Sequence, residues 1–199
     1  SLFFLLIGLL DDILTISPYL RLILQVLGSI VIWQCGIRID FIDFSWIIND
    51  FYFSVPKLLS IILTVLWICA ITNSFNWLDG LDGLAAGTCV VTSFAFTTII
   101  CTTDMSSVSF LMTSLIGSCI GFLFYNFYSA KIYMGDCGSY FIGFLLAVIA
   151  INFTYSSNFY IEYSKLINPF IPILILLLPL GDMLFVILKR ISLGKSPFN

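Results

Sequence analysis

The chain has 199 residues, 60% hydrophobic and 10% charged, with no histidine and a net charge of −3. Mean hydropathy is +1.11 and the pI about 4.5. An acidic balance without a basic run argues against a nucleic-acid partner, and six scattered cysteines with no CxxC pair and no histidine argue against zinc.

In chain order, residues 1–10 (SLFFLLIGLL) read as the end of an apolar helix whose start is missing. They are too short to span a bilayer, and no basic stretch precedes them as a signal peptide would require. Crossing the hydrocarbon takes about 20 residues at about 1.5 Å each. Spans are expected near 19–36, 57–74, 84–101, 108–127, 138–154 and 169–188, with Pro56 and Pro169 where two of them begin. The connection 37–56 opens with the alternation Ile37-Arg38-Ile39-Asp40-Phe41, which predicts a short strand or β-hairpin at the membrane surface. The expected fold is all-α: a polytopic transmembrane helix bundle, one integral membrane domain over 1–199, truncated at both ends. The cysteines fall mostly within spans and read as small apolar packers.

Alternate threading places the connections on two faces. One holds 11–18, 75–83, 128–137 and 189–199, with Arg21, Lys131, Lys189, Arg190 and Lys195; the other holds 37–56, 102–107 and 155–168, with Arg38, Lys57 and Lys165. The excess of cations assigns the first face to the cytoplasm of a plasma or inner membrane.

That face also gathers carboxylates: Asp11 and Asp12, Asp79 and Asp82, and Asp136. A single aspartate at a helix end is ordinarily just solvated. Five beside glycines (80, 83, 135, 138) and apolar neighbours such as Trp77, Leu78 and Met134 point to a site, because acids at membrane depth are costly. In NSFNWLDGLDGLAAG, Asn73, Asn76, Asp79 and Asp82 recur every third residue, which on a helix makes one drifting polar stripe. Gly80 and Gly83 would loosen the backbone there, and the stripe would face an interior cavity. Clustered carboxylates need a cation or basic partners. Carboxylates with a carboxamide form a hard-oxygen set suited to Mg²⁺ or Mn²⁺. Asp182, about two turns inside the last span, reads either as a packing acid or as a brace for the site. In the second reading Pro179 and Gly181 kink the span toward it. Metal, cations and glycine turns at a membrane boundary suggest chemistry on a phosphorylated substrate, and the residues alone go no further.

Four ordered stretches carry a resemblance: LLDDILTISPYLRLILQ, TNSFNWLDGLDGLAAG, GFLFYNFYSAKIYMGDCGSYFIG and LKRISLGKSPFN. Together they resemble the motifs of the polyprenyl-phosphate N-acetylhexosamine-1-phosphate transferases (glycosyltransferase family 4). The branch most similar is the bacterial undecaprenyl-phosphate GlcNAc-1-phosphate transferases, rather than the phospho-MurNAc-pentapeptide transferases. The resemblance implies that a sugar-1-phosphate passes from a UDP-N-acetylhexosamine to polyprenyl phosphate with release of UMP, Mg²⁺ being required. It further implies that Asn76 and Asp136 are metal ligands and that Tyr133 stacks on the uracil. By the same resemblance Arg21 holds phosphate, Asp11 and Asp12 lie near the lipid phosphate, and Asp79 and Asp82 lie beside nucleotide and metal. Asn73, Lys131 and Asp182 are counted with the substrate-binding groups. Ser74 and Ser129 depart from the family's usual Ala and Pro. The family also continues past the position of Asn199 into a loop with an Asp-x-x-His-x-His-type motif. The sugar, the polyprenol length and the oligomeric state, a dimer included, stay open.

A phosphate monoester is mostly dianionic at neutral pH, its second pKa being near 6. It scarcely needs a base, so direct in-line attack is favoured over an aspartyl-phosphate route. The rival from another class is a membrane transporter with Asp182 and the stripe binding a cation or sugar; the gathering of acids at one face counts against it.

Overall fold

The computed structural model describes residues 1–43, 52–100, 106–155 and 170–195. Eight helices and one hairpin make up these residues: α1 (Leu2–Leu14), α2 (Pro18–Gln34), β1 (Phe41–Asp43), β2 (Tyr52–Ser54), α3 (Lys57–Leu78), α4 (Leu84–Ile100), α5 (Ser106–Asn126), α6 (Gly135–Tyr155), α7 (Phe170–Ile175) and α8 (Leu177–Ser192). The all-α bundle is as expected, and so is the hairpin, whose strands pair antiparallel with Phe41 opposite Ser54. Its tip lies outside the described residues, as do Lys165 and the last four residues of the terminal motif.

Local chemistry sets the helix ends. Thr15 takes a left-handed conformation (φ 46°) that closes α1, and its N–H returns to the Asp11 carbonyl. Ser17 then caps α2 by accepting the Leu20 N–H, with Pro18 in the first turn where its missing N–H costs nothing. Helices α3, α5 and α6 are long and apolar enough to cross a membrane, while α2 and α4 are apolar but shorter, at 17 residues each. Their outward faces expose large apolar side chains such as Val91, Phe94, Phe110 and Phe124, as a lipid-facing surface does. The protein is therefore an integral membrane protein.

The last span departs from expectation. It is not one helix over 169–188 but two, broken at Leu176. Pro179 has no N–H to return to the Ile175 carbonyl, and its ring crowds that carbonyl, so the chain restarts with proline in the first turn of α8. Helix α6 likewise begins earlier than expected, so Asp136 lies inside its first turn.

At the centre α3 packs on α6; α1 covers α6, α2 and α8 flank α3, and α4 pairs with α5. The approach of α1 to α6 is set by Gly8, where an added Cβ would fall 2.3 Å from the Asp136 carbonyl oxygen. Beside it Phe4 stacks on Phe144 with centroids 4.2 Å apart. Between α2 and α3 the filling is small and polar: Ser29, Ser60 and Thr64 are fully buried. Small hydroxyl residues let helix backbones approach where lipid gives no hydrophobic drive. This packing brings the end of α1, the start of α2, the end of α3 and the start of α6 to one place.

Candidate active site

The start of α6 is capped from another helix. Both Asp12 carboxylate oxygens accept backbone N–H groups, from Asp136 and Cys137, at 3.0 Å each. These are N–H groups that a helix start leaves without partners, and a carboxylate there also meets the positive end of the helix dipole. Gly135 enters the helix at φ +68°, and a Cβ on it would meet Asp12 Oδ2 at 2.9 Å. Glycine fits this approach and a side chain does not.

Its neighbour Asp11 is buried and pairs with Arg21, whose Nη1 lies 2.5 Å from Asp11 Oδ2 and 3.3 Å from Asp136 Oδ2. A single guanidinium nitrogen thus serves two carboxylates. The other Asp136 oxygen accepts from Asn76 Nδ2 at 2.5 Å, and Asn76 Nδ2 also reaches Ser139 Oγ at 3.2 Å. Asp11, Arg21, Asn76, Asp136 and Ser139 form one connected network, with Asp12 joined through the backbone.

Asp79 stands at the end of α3 beside this network. Burial pushes its carboxyl up to about 6; a hydrogen bond from the Gly135 backbone opposes that, and the Asp12 charge adds to it. Two carboxylates therefore share one guanidinium, with Asp12 and Asp79 beside them at the start of α6. Such a cluster can neutralise itself with a divalent ion or by keeping a proton.

The polar stripe needs correction. α3 ends at Leu78, so Asp79 caps it and Asp82 lies beyond, in the turn that leads to Gly83 at φ +72°. Gly80 and Gly83 do more than loosen a helix: the chain leaves helical conformation altogether. Asp82 is exposed and accepts the Ala130 N–H at 3.0 Å, so it tethers the loop after α5 rather than joining the network. The two asparagines also diverge. Asn73 Nδ2 donates to Gln25 Oε1 and to the Cys69 carbonyl, both at 2.7 Å, turning toward α2 while Asn76 turns toward α6.

Lys131 and Tyr133 are exposed on the segment between α5 and α6, outside the network. Asp182 is exposed on α8 and lines a cavity of about 730 Å³ between α2, α3 and α8, which it shares with Arg21, Asn73, Trp77 and Arg190. The Arg190 guanidinium lies 5.9 Å from the Trp77 ring centroid. The cavity joins the carboxylate network through Arg21.

Four residues here were not singled out from sequence. Gln25 is fully buried as the partner of Asn73. Asn126 is buried, accepts the Gly83 N–H at 3.0 Å and donates to the Ile132 carbonyl at 2.9 Å, fixing both flanking turns. Ser139 and Tyr140 follow Asp136 on α6. A lone amide in an apolar run was the signal for the first two.

The family model described as glycosyl transferase family 4 matches residues 1–154. A probable undecaprenyl-phosphate N-acetylglucosaminyl 1-phosphate transferase of Bacillus subtilis (strain 168) is 36% identical over 196 residues, 97% of this chain and 51% of the relative. A decaprenyl-phosphate N-acetylglucosaminephosphotransferase of Mycobacterium leprae (strain TN) is 37% identical over 153 residues, 70% of this chain and 38% of the relative. A phospho-N-acetylmuramoyl-pentapeptide-transferase of Desulforudis audaxviator (strain MP104C) is 45% identical over 89 residues, 45% of this chain and 27% of the relative. The chain spans about half the length, or less, of these relatives.

Proposed function

The chain belongs to glycosyl transferase family 4, and from that premise we propose that the whole protein transfers GlcNAc-1-phosphate from UDP-GlcNAc to a polyprenyl phosphate such as undecaprenyl phosphate, releasing UMP. The observation that carries this reading is Arg21, held by Asp11 and Asp136 in the lining of a largely apolar cavity. That arrangement suits a phosphate whose tail is a hydrocarbon. The printed names of two relatives carry the same polyprenyl-phosphate acceptor and N-acetylglucosamine phosphate group.

The donor set fits Mg²⁺, and Mn²⁺ by the same chemistry. Among the described residues no three acidic, cysteine or histidine groups form a metal cluster. Mg²⁺ takes one or two carboxylates and completes its shell with water and substrate phosphates. Asp136 would hold it, with Asn76 turning its carboxamide oxygen inward. Bound there, the ion would offset charge on the diphosphate.

The chain's own residues supply the rest. Arg21 orients a phosphoryl oxygen, as guanidinium geometry favours. A lipid-phosphate oxygen attacks the β-phosphorus of the UDP-sugar in line; the new P–O bond forms as the bond to UMP breaks, and UMP leaves with that electron pair. Asp12 secures the start of α6 and so the place of Asp136. Asp11 holds Arg21, and Asp79, carrying a proton more readily than an ordinary aspartate, hydrogen-bonds substrate. Tyr133, exposed beside the site, presents a ring face for the uracil, and Lys131 a cation for the diphosphate. We place this site on the cytoplasmic face, where the basic connections gather.

The test is to reconstitute the full-length protein with Mg²⁺, undecaprenyl phosphate and either UDP-GlcNAc or UDP-MurNAc-pentapeptide. UMP release with the first donor and none with the second is expected. Solute flux without UMP release would overturn the proposal in favour of a transporter.

A further inference from the structure

The strongest unexplained group near the network is the phenol of Tyr140. Its side chain is fully buried, and its hydroxyl has no hydrogen-bond partner among the described residues. It stands one turn after Asp136 on α6, the spacing that puts two side chains on one helix face. The Arg21 guanidinium lies 6.0 Å from its ring centroid, and Asp136, Asp11 and Asp12 are the carboxylates that act on it electrostatically. A buried hydroxyl without a partner costs free energy that phenylalanine in the same place would not. Such a group is explained if another state of the site uses it.

The network shows what that state is. Arg21 Nη1 bridges Asp11 and Asp136. Any phosphoryl oxygen that recruits this guanidinium withdraws a donor from two neighbouring carboxylates. We propose that Tyr140 is a positioning residue: its hydroxyl becomes the donor to the Asp11–Asp136 pair when Arg21 turns to a phosphoryl oxygen, and its ring guides the guanidinium. The inference rests on the phosphoryl-binding reading above but adds a residue to it. The hydroxyl is sealed from solvent, so Tyr140 acts through Arg21 and the carboxylates and does not touch substrate. A hydrogen bond to a charged group should be worth about tenfold in affinity.

The experiment compares Tyr140→Phe with wild type in the full-length protein by three measurements. Thermal stability in detergent without ligand should be unchanged or higher, since only an unpartnered hydroxyl is lost. Mg²⁺-dependent binding of inorganic pyrophosphate, by calorimetry, should weaken about tenfold. The kcat/KM for UMP release should fall by a similar factor, mostly through KM. In an Arg21→Lys background the Tyr140→Phe effect should shrink to about twofold or less, because the shared donor is gone; a packing role would give the same loss in both backgrounds. Wild-type binding and turnover in Tyr140→Phe would overturn the inference and leave the proposed reaction standing. Weaker pyrophosphate binding in Tyr140→Phe, with no UMP release from wild type, would do the reverse. Loss of stability or of the fold in Tyr140→Phe would also overturn it, by showing that the hydroxyl is already partnered at rest.

Discussion

The two ends of the α2–α3 pair use similar residue types and balance them differently. At the hairpin end, Trp33 Nε1 donates to Ser60 Oγ at 2.8 Å, Ser60 donates to Asp40 Oδ1 at 3.1 Å, and Arg38 Nε donates to Asp40 Oδ2 at 2.6 Å. Arg38 and Lys57 lie 5.3 and 5.7 Å from the Trp33 ring. These groups answer one another locally. At the other end lie Asp11, Asp12, Asp79 and Asp136, and Arg21 ion-pairs with two of them, Asp11 and Asp136. Burial there raises a carboxyl, and a phenol has no partner among the described residues. A polar cluster that satisfies itself stabilises a fold. One left short of positive charge is suited to a cationic and phosphorylated ligand.

This contrast can be broken from either end, and the largest effect belongs to the acidic one. Asp136→Asn in the full-length protein should lower UMP release by at least about 10²-fold, the scale for removing one electrostatic contact at a transition state. Its thermal stability should not fall. Near-normal turnover at limiting Mg²⁺ would remove Asp136 from the site. Gly8→Val should follow, because its side chain must displace the Asp136 backbone. Overpacking of this kind costs about 1–3 kcal/mol, so both melting temperature and turnover should drop. A stable, active Gly8→Val would mean that α1 does not hold α6 in place.

At the hairpin end Ser60→Ala orphans the buried Trp33 N–H and should cost about 1–3 kcal/mol of stability. Its turnover, measured below the melting temperature, should match wild type, and a loss of turnover would erase the distinction between the two ends. The pH dependence of Asp79 sharpens the comparison further. With a carboxyl pKa of about 6 against an ordinary value of 3.8, the folded state holds the proton more tightly than the unfolded one. Its contribution is therefore most favourable below the ordinary value and is lost as pH rises through about 6. In metal-free buffer, stability should decline across that window, and Asp79→Asn should flatten the decline. An unchanged slope in Asp79→Asn would assign the titration elsewhere. The smallest effect is expected from Arg38→Gln, since exposed ion pairs contribute about 0–1 kcal/mol. A shift in melting temperature of more than a few degrees would show that the pair is more than a surface contact.

Much of this architecture is written in local chemistry. Apolar runs dictate membrane helices because backbone polar groups in lipid must bond within their own segment; the hairpin lies in the expected connection, though its first strand starts at Phe41, where the alternation ends. Aspartates among glycines marked where the candidate site lies, since their cost at membrane depth is a property of composition. The register of those acids was not legible. Spacing by three placed Asn73, Asn76, Asp79 and Asp82 on one stripe, whereas the helix ends at Leu78 and sends them to Gln25, Asp136, the edge of the network and Ala130. The break at Leu176 hung on which of two prolines would interrupt the ladder. That Arg21 bridges Asp11 and Asp136, and that Tyr140 lies beneath it unpartnered, joins residues 10 and 115 positions apart. Periodicity reports which face of one helix a residue occupies. Only packing decides what that face meets, because partners distant in the chain leave no mark in its local pattern.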